Sequence, residues 1–160
     1  MTEESTVSST TKTSTNTTTT TSSDTITELN VLFLGNSYTY YNNLPYLVQK
    51  LANSVGLVLN HDQNTPGGAK LKDHVSGTSI SKIRQGGWDV VVLQEQSQIP
   101  SLSENVVCYW SHSYADQLSN EILASNPNAK IQWYLTWGRI NGDSSLCGSY
   151  PNVCTYEGIS

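Results

Sequence analysis

Polar residues that could bind or attack a substrate follow each of four apolar segments along this sequence. They are Gly35-Asn36-Ser37-Tyr38-Thr39, Thr65-Pro66-Gly67-Gly68-Ala69, Gln94-Glu95-Gln96 and Trp137-Gly138-Arg139. A serine hydroxyl becomes a nucleophile when a base takes its proton, and amide groups donate hydrogen bonds. In open parallel sheets, ligands bind just beyond the carboxyl ends of the strands, so these four loops form the candidate site. The same loops could also hold a sugar or a phosphate without chemistry.

The apolar segments predict the strands that position these loops. Nearly continuous apolar runs indicate strands at residues 29–34, 57–60, 88–93 and 131–136. Helical spacing predicts a helix over residues 44–55, a short helical turn over 80–84, and a helix that begins in a capping box at Ser101 and ends near Asn126. Strands that alternate with helices predict right-handed crossovers and a parallel sheet. We therefore expect an α/β fold, a three-layer α/β/α sandwich.

The first 27 residues form a region of their own. Of residues 1–25, 18 are Ser or Thr, and only Met1 and Val7 are apolar. Such a segment cannot bury enough surface to offset the entropy of ordering its backbone. We expect residues 1–27 to be a disordered tail or an O-glycosylated stalk, and residues 28–160 to build the domain. The first residues lack the basic and apolar regions of a signal peptide.

Charge and cysteine content exclude several classes of function. The formal net charge is −5 without any cluster of Lys or Arg, which argues against a nucleic-acid partner. No apolar run approaches the roughly 18 residues that span a bilayer. Cys147 and Cys154 lie in a Gly/Ser/Pro/Asn-rich loop, and we expect them to pair, with two free thiols as the alternative. A disulfide would favour an extracellular or otherwise extracytoplasmic location, and Cys108 is expected to be a buried free thiol.

No cofactor or metal is expected from the sequence. The loop after the first apolar segment lacks the glycines of a Rossmann or P-loop fingerprint, and position 39 is Thr, where an α/β-hydrolase elbow requires Gly. Cys147 and Cys154 have no nearby histidine or further cysteine, so they do not form a zinc site.

The segment Val31-Leu32-Phe33-Leu34-Gly35-Asn36-Ser37-Tyr38-Thr39 resembles block one of the SGNH (GDSL-like) hydrolases, with Gly-Asn-Ser in place of the commoner Gly-Asp-Ser. The resemblance implies the flavodoxin-like fold of that superfamily. It also implies that Ser37 attacks an acyl carbonyl and that its own N–H joins the oxyanion hole. The activity expected from this resemblance is hydrolysis of a small acyl ester, with a small-molecule or carbohydrate ester as the substrate.

The remaining oxyanion donors follow from the same resemblance. Gly68, with Gly67 as the alternative, resembles the block-two glycine whose N–H is a second donor. The family's block three supplies an Asn side chain as the third donor, but this chain has no Asn at that place. Gln94 carries the same amide on a longer side chain, so it is the expected donor, with Gln96 as the alternative.

The family's catalytic base matches no residue of this chain. SGNH hydrolases carry the base in a block-five Asp-x-x-His, and none of His61, His74 and His112 has an acidic residue three positions before it. We interpret His61 and His74 as surface or loop residues. The catalytic His is therefore expected downstream of Ser160. Residues 28–160 would then form an incomplete, barely active SGNH domain.

Alternatives remain open at this point. A carbohydrate-binding module on the same scaffold is the main rival to the enzyme, and Ser37 would then be only a turn residue or helix cap. Trp88 and Trp133 are interpreted as core residues, and Trp137 as a core residue or part of the pocket wall.

Overall fold

The computed structural model of the protein describes residues 28–137 and 141–154. Over these ranges the chain forms four strands: β1 (Glu28–Leu34), β2 (Val58–Asn64), β3 (Val90–Leu93) and β4 (Lys130–Trp133). All neighbouring strands pair in parallel, in the order β2-β1-β3-β4. The predicted α/β fold with a parallel sheet is confirmed. The tail predicted for residues 1–27 lies outside the described residues.

Helices connect the strands. The α-helices of the described ranges are α1 (Ser37–Tyr40), α2 (Leu44–Ser54), α3 (Leu71–His74), α4 (Gly77–Gln85), α5 (Glu104–Val107) and α6 (Ser113–Ser125). A π-helical segment, Cys108–His112, joins α5 to α6. Short 3-10 turns occur at Tyr41–Asn43, Ile99–Ser101 and Pro151–Val153.

Apolar side chains on both faces of the sheet make the three layers. On one face, residues of β1 and β3 pack against α3, α4 and α6, in a cluster formed by Leu32, Leu34, Leu71, Ile83, Val91, Leu93, Leu118 and Ile122. On the other face, Val31, Phe33 and Leu59 pack against Val48 and Ala52 of α2. Burial on both faces explains why β1 is almost continuously apolar. The result is the expected α/β/α sandwich.

Several local predictions are wrong, and the outer strands explain most of them. β2 continues to Asn64 rather than ending at residue 60, because an edge strand tolerates polar side chains. β4 is the other outer strand of this sheet, and Trp133 on it is 47% exposed rather than part of the core. Trp137, 64% exposed, is not a core residue either. Trp88 does pack against the larger core cluster, as predicted.

The predictions for the third long helix also need correction. Ser101 lies in a 3-10 turn, and the helix begins at Glu104 after Ser103, without the expected capping-box hydrogen bond. Cys108 is a free thiol but is exposed rather than buried. It is the first residue of the π-helical segment, whose wider turn changes the direction in which side chains point relative to an α-helical pattern.

The disulfide between Cys147 and Cys154 is present, with 4.9 Å between the Cα atoms. The loop that it closes is ordered by buried contacts: Val153 is fully buried, and its carbonyl accepts a hydrogen bond from the Asp143 N–H at 2.7 Å. A disulfide is compatible with an extracellular location. Across residues 28–137 and 141–154, no helix has the length and apolar character needed to cross a membrane.

Candidate active site

The turn that follows β1 places Ser37 at the carboxyl edge of the sheet. Ser37 is the first residue of α1, and two residues, Gly35 and Asn36, separate it from the end of β1. The intervening Gly35 is packed so closely that an added Cβ would lie 2.5 Å from Thr39 Oγ1 and 2.7 Å from Gln94 Oε1. Only glycine fits there, and its lack of a side chain lets the chain turn tightly from strand to helix.

Asn36 connects this turn to two other loops. Its Oδ1 accepts hydrogen bonds from the Tyr38 N–H at 3.1 Å and from Gln94 Nε2 at 2.9 Å. Its Nδ2 donates to the Ala69 carbonyl at 2.8 Å, and its own N–H donates to Gln94 Oε1 at 3.0 Å. The side chain is 1% exposed. Asn36 therefore holds the loops after β1, β2 and β3 together beside Ser37.

Gln94 is fully buried, and its amide is used entirely within the protein. Oε1 accepts from the Asn36 N–H and from Thr39 Oγ1 at 2.8 Å, while Nε2 donates to Asn36 Oδ1 and to the Glu95 carbonyl at 2.6 Å. This arrangement favours a role in positioning the Ser37 turn. The oxyanion-donor role stays a prediction, since Nε2 would have to exchange one of these acceptors for the substrate oxygen. The alternative donor, Gln96, gives its amide N–H to Gln98 Oε1.

Two backbone N–H groups remain available near the turn. Among the described residues, neither the Ser37 N–H nor the Gly68 N–H donates a hydrogen bond, and the Ser37 hydroxyl also makes none. Gly68 has a φ of +72°, which disfavours any residue with a Cβ, whereas Gly67 has no positive φ. The backbone conformation thus distinguishes Gly68 from the alternative glycine.

Ser37 opens onto a cleft of about 410 Å³. The lining is mostly aromatic and apolar, and consists of Ser37, Tyr38, Tyr41, Asn42, Leu44, Leu47, Tyr134 and Trp137. The rings of Tyr38 and Trp137 are in contact, with centroids 4.9 Å apart. Partial burial, with a smaller contribution from Tyr38, raises the pKa of Tyr134 above its usual value, so this phenol is neutral at pH 7. The cleft therefore suits an uncharged part of a ligand.

His74 is fully buried, which makes its interpretation as a surface or loop residue wrong. Its Nε2 lies 3.0 Å from the Gly35 carbonyl, and its Nδ1 lies 2.6 Å from Ser79 Oγ. Ser79 Oγ in turn accepts from Asn64 Nδ2 at 2.7 Å. Because a carbonyl can only accept, Nε2 carries the proton and Nδ1 accepts from the serine hydroxyl. This is a neutral imidazole, in agreement with burial lowering its pKa.

Among the described residues, none of the three histidines of the chain hydrogen-bonds to Ser37, and Nδ1 of His61 is buried with no hydrogen-bond partner. Both ring nitrogens of His74 are occupied, His61 lies within β2 beside the Phe33 ring, and His112 Nδ1 lies 3.5 Å from Cys108 Sγ. Within residues 28–137 and 141–154, no base hydrogen-bonds to the Ser37 hydroxyl. Within the same ranges, no group of three or more His, Cys, Asp or Glu side chains is arranged so that it could hold a metal ion.

The sequence did not reveal two residues that support the Ser37 turn. Thr39 and His74 both hydrogen-bond to groups of this site, and both are buried. A signal was available for Thr39, which belongs to the loop that follows β1. His74 lies three positions after Leu71 in a short polar segment, which gave no local indication that it is buried.

Comparison with known proteins adds information on the fold. No protein-family model matches the chain, and no curated protein sequence does. A solved structure that matches is the crystal structure of a DUF4886 family protein from Bacteroides uniformis ATCC 8492, with 16% sequence identity and a TM-score of 0.65. The match covers 82% of this chain and 58% of the other, so the chain spans little more than half the length of that protein. At this identity the similarity is one of fold.

Proposed function

We propose that this chain carries the nucleophile region of a serine ester hydrolase of the SGNH type, acting on a small acyl ester, with acetylated carbohydrates as one substrate class. Ser37 Oγ attacks the acyl carbonyl and forms a tetrahedral intermediate. The N–H groups of Ser37 and Gly68 stabilise the oxyanion, because preorganised donors act most strongly where charge develops. The Gln94 side chain is the proposed third donor, through the exchange of acceptor described above.

One observation carries the proposal. Among the described residues, the Ser37 hydroxyl and N–H make no hydrogen bond at the carboxyl edge of a parallel sheet, in the wall of an aromatic cleft, and the Gly68 N–H in the loop after β2 makes none either. A serine that served only as a helix cap would accept a hydrogen bond from the first turn of its helix. Here that bond is made by Asn36, whose Oδ1 accepts from the Tyr38 N–H. Ser37 is therefore free of a capping role.

The general base is the part of the mechanism that the described residues do not contain. A serine hydroxyl needs a base within hydrogen-bond reach to lose its proton as it attacks. We expect that base in a downstream Asp-x-x-His, as the resemblance to SGNH hydrolases implies. The 160-residue chain should accordingly show little turnover of p-nitrophenyl acetate, and a longer chain that includes the motif should hydrolyse it.

The test compares two serine substitutions in such a longer chain. Ser37→Ala should lower kcat/KM for p-nitrophenyl acetate by at least about 10³-fold, because it removes the nucleophile. Ser54→Ala is the matched control, since Ser54 is an exposed serine at the end of α2. Labelling by a fluorophosphonate should follow the same pattern. Full activity of the Ser37→Ala protein would refute the proposal. Robust Ser37-dependent turnover by the 160-residue chain would refute the inference that this chain lacks the base.

A carbohydrate-binding module is the second candidate, and the aromatic lining of the cleft favours it. Aromatic side chains give binding sites large, rigid contact surfaces, and the cleft has Tyr38, Tyr134 and Trp137 in its wall. A binder would retain sugar affinity after Ser37→Ala and would show no fluorophosphonate labelling. The same two proteins therefore separate the two functions.

A further inference from the structure

A second, smaller cavity lies beside the loop that carries Gly68. Its volume is about 150 Å³, and its lining includes Lys70, Gln96, Gln98, Trp110, Leu146 and Tyr150. We call it the lysine pocket. Its walls come from three parts of the chain: the segment before α3, the loop after β3 with the π-helical segment, and the disulfide-closed loop. It is separate from the aromatic cleft, with which it shares no lining residue.

Two positive charges contact Trp110, a lining residue of the lysine pocket, and one of the two, Lys70, lines the pocket itself. The ammonium nitrogens of Lys70 and Lys72 lie 4.7 Å and 5.1 Å from the centre of the Trp110 ring. Each is attracted to the ring, but the two like charges repel each other. Over residues 28–137 and 141–154 the ion pairs are Lys82–Asp62 and Arg84–Glu121, so neither lysine is neutralised by a carboxylate there.

The neighbouring carboxylates accept hydrogen bonds from other groups, and the second oxygen of Glu95, Oε2, is buried with no hydrogen-bond partner among the described residues. Asp73 accepts the Lys70 backbone N–H at 2.9 Å, and Glu95 accepts the Leu71 N–H at 3.1 Å. Asp143, which precedes the disulfide-closed loop, accepts from the Ser145 N–H at 3.0 Å and from Gln98 Nε2. Among the described residues, none of these carboxylates lies within ion-pair distance of the Lys70 or Lys72 ammonium.

The two glutamine side chains of the pocket already donate to acceptors within the protein, so the Lys70 ammonium is the charged donor of its lining. The Gln96 amide N–H is donated to Gln98, and that of Gln98 is donated to Asp143. A volume of about 150 Å³ corresponds to about five water molecules at roughly 30 Å³ each, which is room for one small group. The chemistry that suits a small cavity lined by the unneutralised Lys70 ammonium is an anion.

We propose that the lysine pocket binds a single anionic group, a carboxylate or a sulfate, carried by a ligand that also occupies the aromatic cleft. This inference rests on the proposed function. The two sites are linked through the chain, because Ala69, next to Lys70, accepts the Asn36 hydrogen bond that fixes the Ser37 turn. One ligand would then place an uncharged part in the aromatic cleft and an acidic part beside Lys70. The substrate class is accordingly an ester of an acidic rather than a neutral carbohydrate.

Binding of D-glucuronate to the 160-residue chain tests this without any turnover, so its outcome is independent of whether Ser37 is a nucleophile. Isothermal titration calorimetry at constant ionic strength would compare D-glucuronate with D-glucose, and sodium sulfate would serve as a competitor. D-Glucuronate should bind at least about tenfold more tightly than D-glucose, since charge-assisted hydrogen bonds are the stronger class. Competition by sulfate would show that the anionic group provides the affinity. Equal binding of the two sugars, without competition by sulfate, would overturn the proposal.

Substitutions locate the effect. Lys70→Met should weaken D-glucuronate binding by about tenfold, and Lys70→Arg should largely preserve it because the charge is kept. Lys50→Met is the matched control, since the Lys50 ammonium lies 5.2 Å from the centre of the Tyr46 ring on α2, in the same kind of contact at a different place. Equal losses in Lys50→Met and Lys70→Met would refute the assignment, as would unchanged binding in a folded Lys70→Met protein.

Discussion

The hydrogen-bonded chain from Asn64 through Ser79 and His74 to Gly35 should stabilise the fold in a pH-dependent way. His74→Ala removes both imidazole hydrogen bonds, so that the buried Gly35 carbonyl loses its donor and the buried Ser79 hydroxyl loses the acceptor of its proton. Each unsatisfied buried group costs about 1–3 kcal/mol, and a small cavity adds to this, so we expect the free energy of unfolding to fall by about 3–5 kcal/mol. This is a large part of the 5–15 kcal/mol typical of a domain.

The pH dependence follows from the direction of the pKa shift. Burial lowers the pKa of folded His74 below the ordinary value of 6.5, so below that pH the unfolded chain binds a proton that the folded chain resists. The contribution of His74 to stability is complete above about pH 6.5 and is lost as the pH falls, with a slope of up to about 1.4 kcal/mol per pH unit. The carboxylates with lowered pKa values, Asp62 and Glu121, act in a separate, more acidic window.

Urea unfolding followed by far-UV circular dichroism between pH 5 and pH 8 measures both effects. His74→Gln keeps an amide donor and acceptor but does not titrate, so it should flatten the slope below pH 6.5 with a smaller loss of stability than His74→Ala. His112→Gln is the control, because His112 is exposed. If His74→Gln retained the wild-type slope, or if His112→Gln removed it, the reasoning would be refuted.

Three further predictions concern other parts of the site and the disulfide. Gln94→Ala should lower the free energy of unfolding by about 3 kcal/mol, and in an active longer chain it should lower kcat by about 10²–10³ with little change in KM. Gln94→Glu should be at least as damaging to kcat, and a kcat within a few-fold of wild type in Gln94→Ala would exclude the donor role. Gly68→Ala should destabilise by about 1 kcal/mol because of its positive φ, and Gly67→Ala should destabilise less; equal melting temperatures would contradict this. Cys154→Ser should destabilise by about 2–3 kcal/mol through loss of a short closed loop, a value that wild-type protein in reductant should match in chemical denaturation.

The sequence predicted the parts of the fold that depend on burial of apolar surface. β1 and β3 are buried on both faces, so their apolar runs identified them, and the parallel sheet followed from the alternation of strands and helices. The polar half of β2 carried no such pattern. His61 and Asp62 are tolerated there because β2 is an edge strand of the described sheet, which a single sequence does not show.

The candidate site was predictable only in outline. The carboxyl-edge rule identified the loop of Ser37, but the contacts inside the site join residues far apart in the chain. Gln94 and Asn36 are 58 positions apart, and His74 and Gly35 are 39 apart. The burial of His74 depends on two partners that the fold brings to its ring nitrogens. No local spacing contains that information.

The uncharged lining of the Ser37 cleft has a thermodynamic consequence. A ligand that fills it displaces water from aromatic and aliphatic side chains, such as Tyr38, Leu47 and Trp137, and removes apolar surface from solvent on both partners. Burial of apolar surface gives binding a negative heat-capacity change, whatever the sign of the enthalpy at one temperature. The enthalpy of binding at this cleft should therefore become steadily more favourable as the temperature is raised.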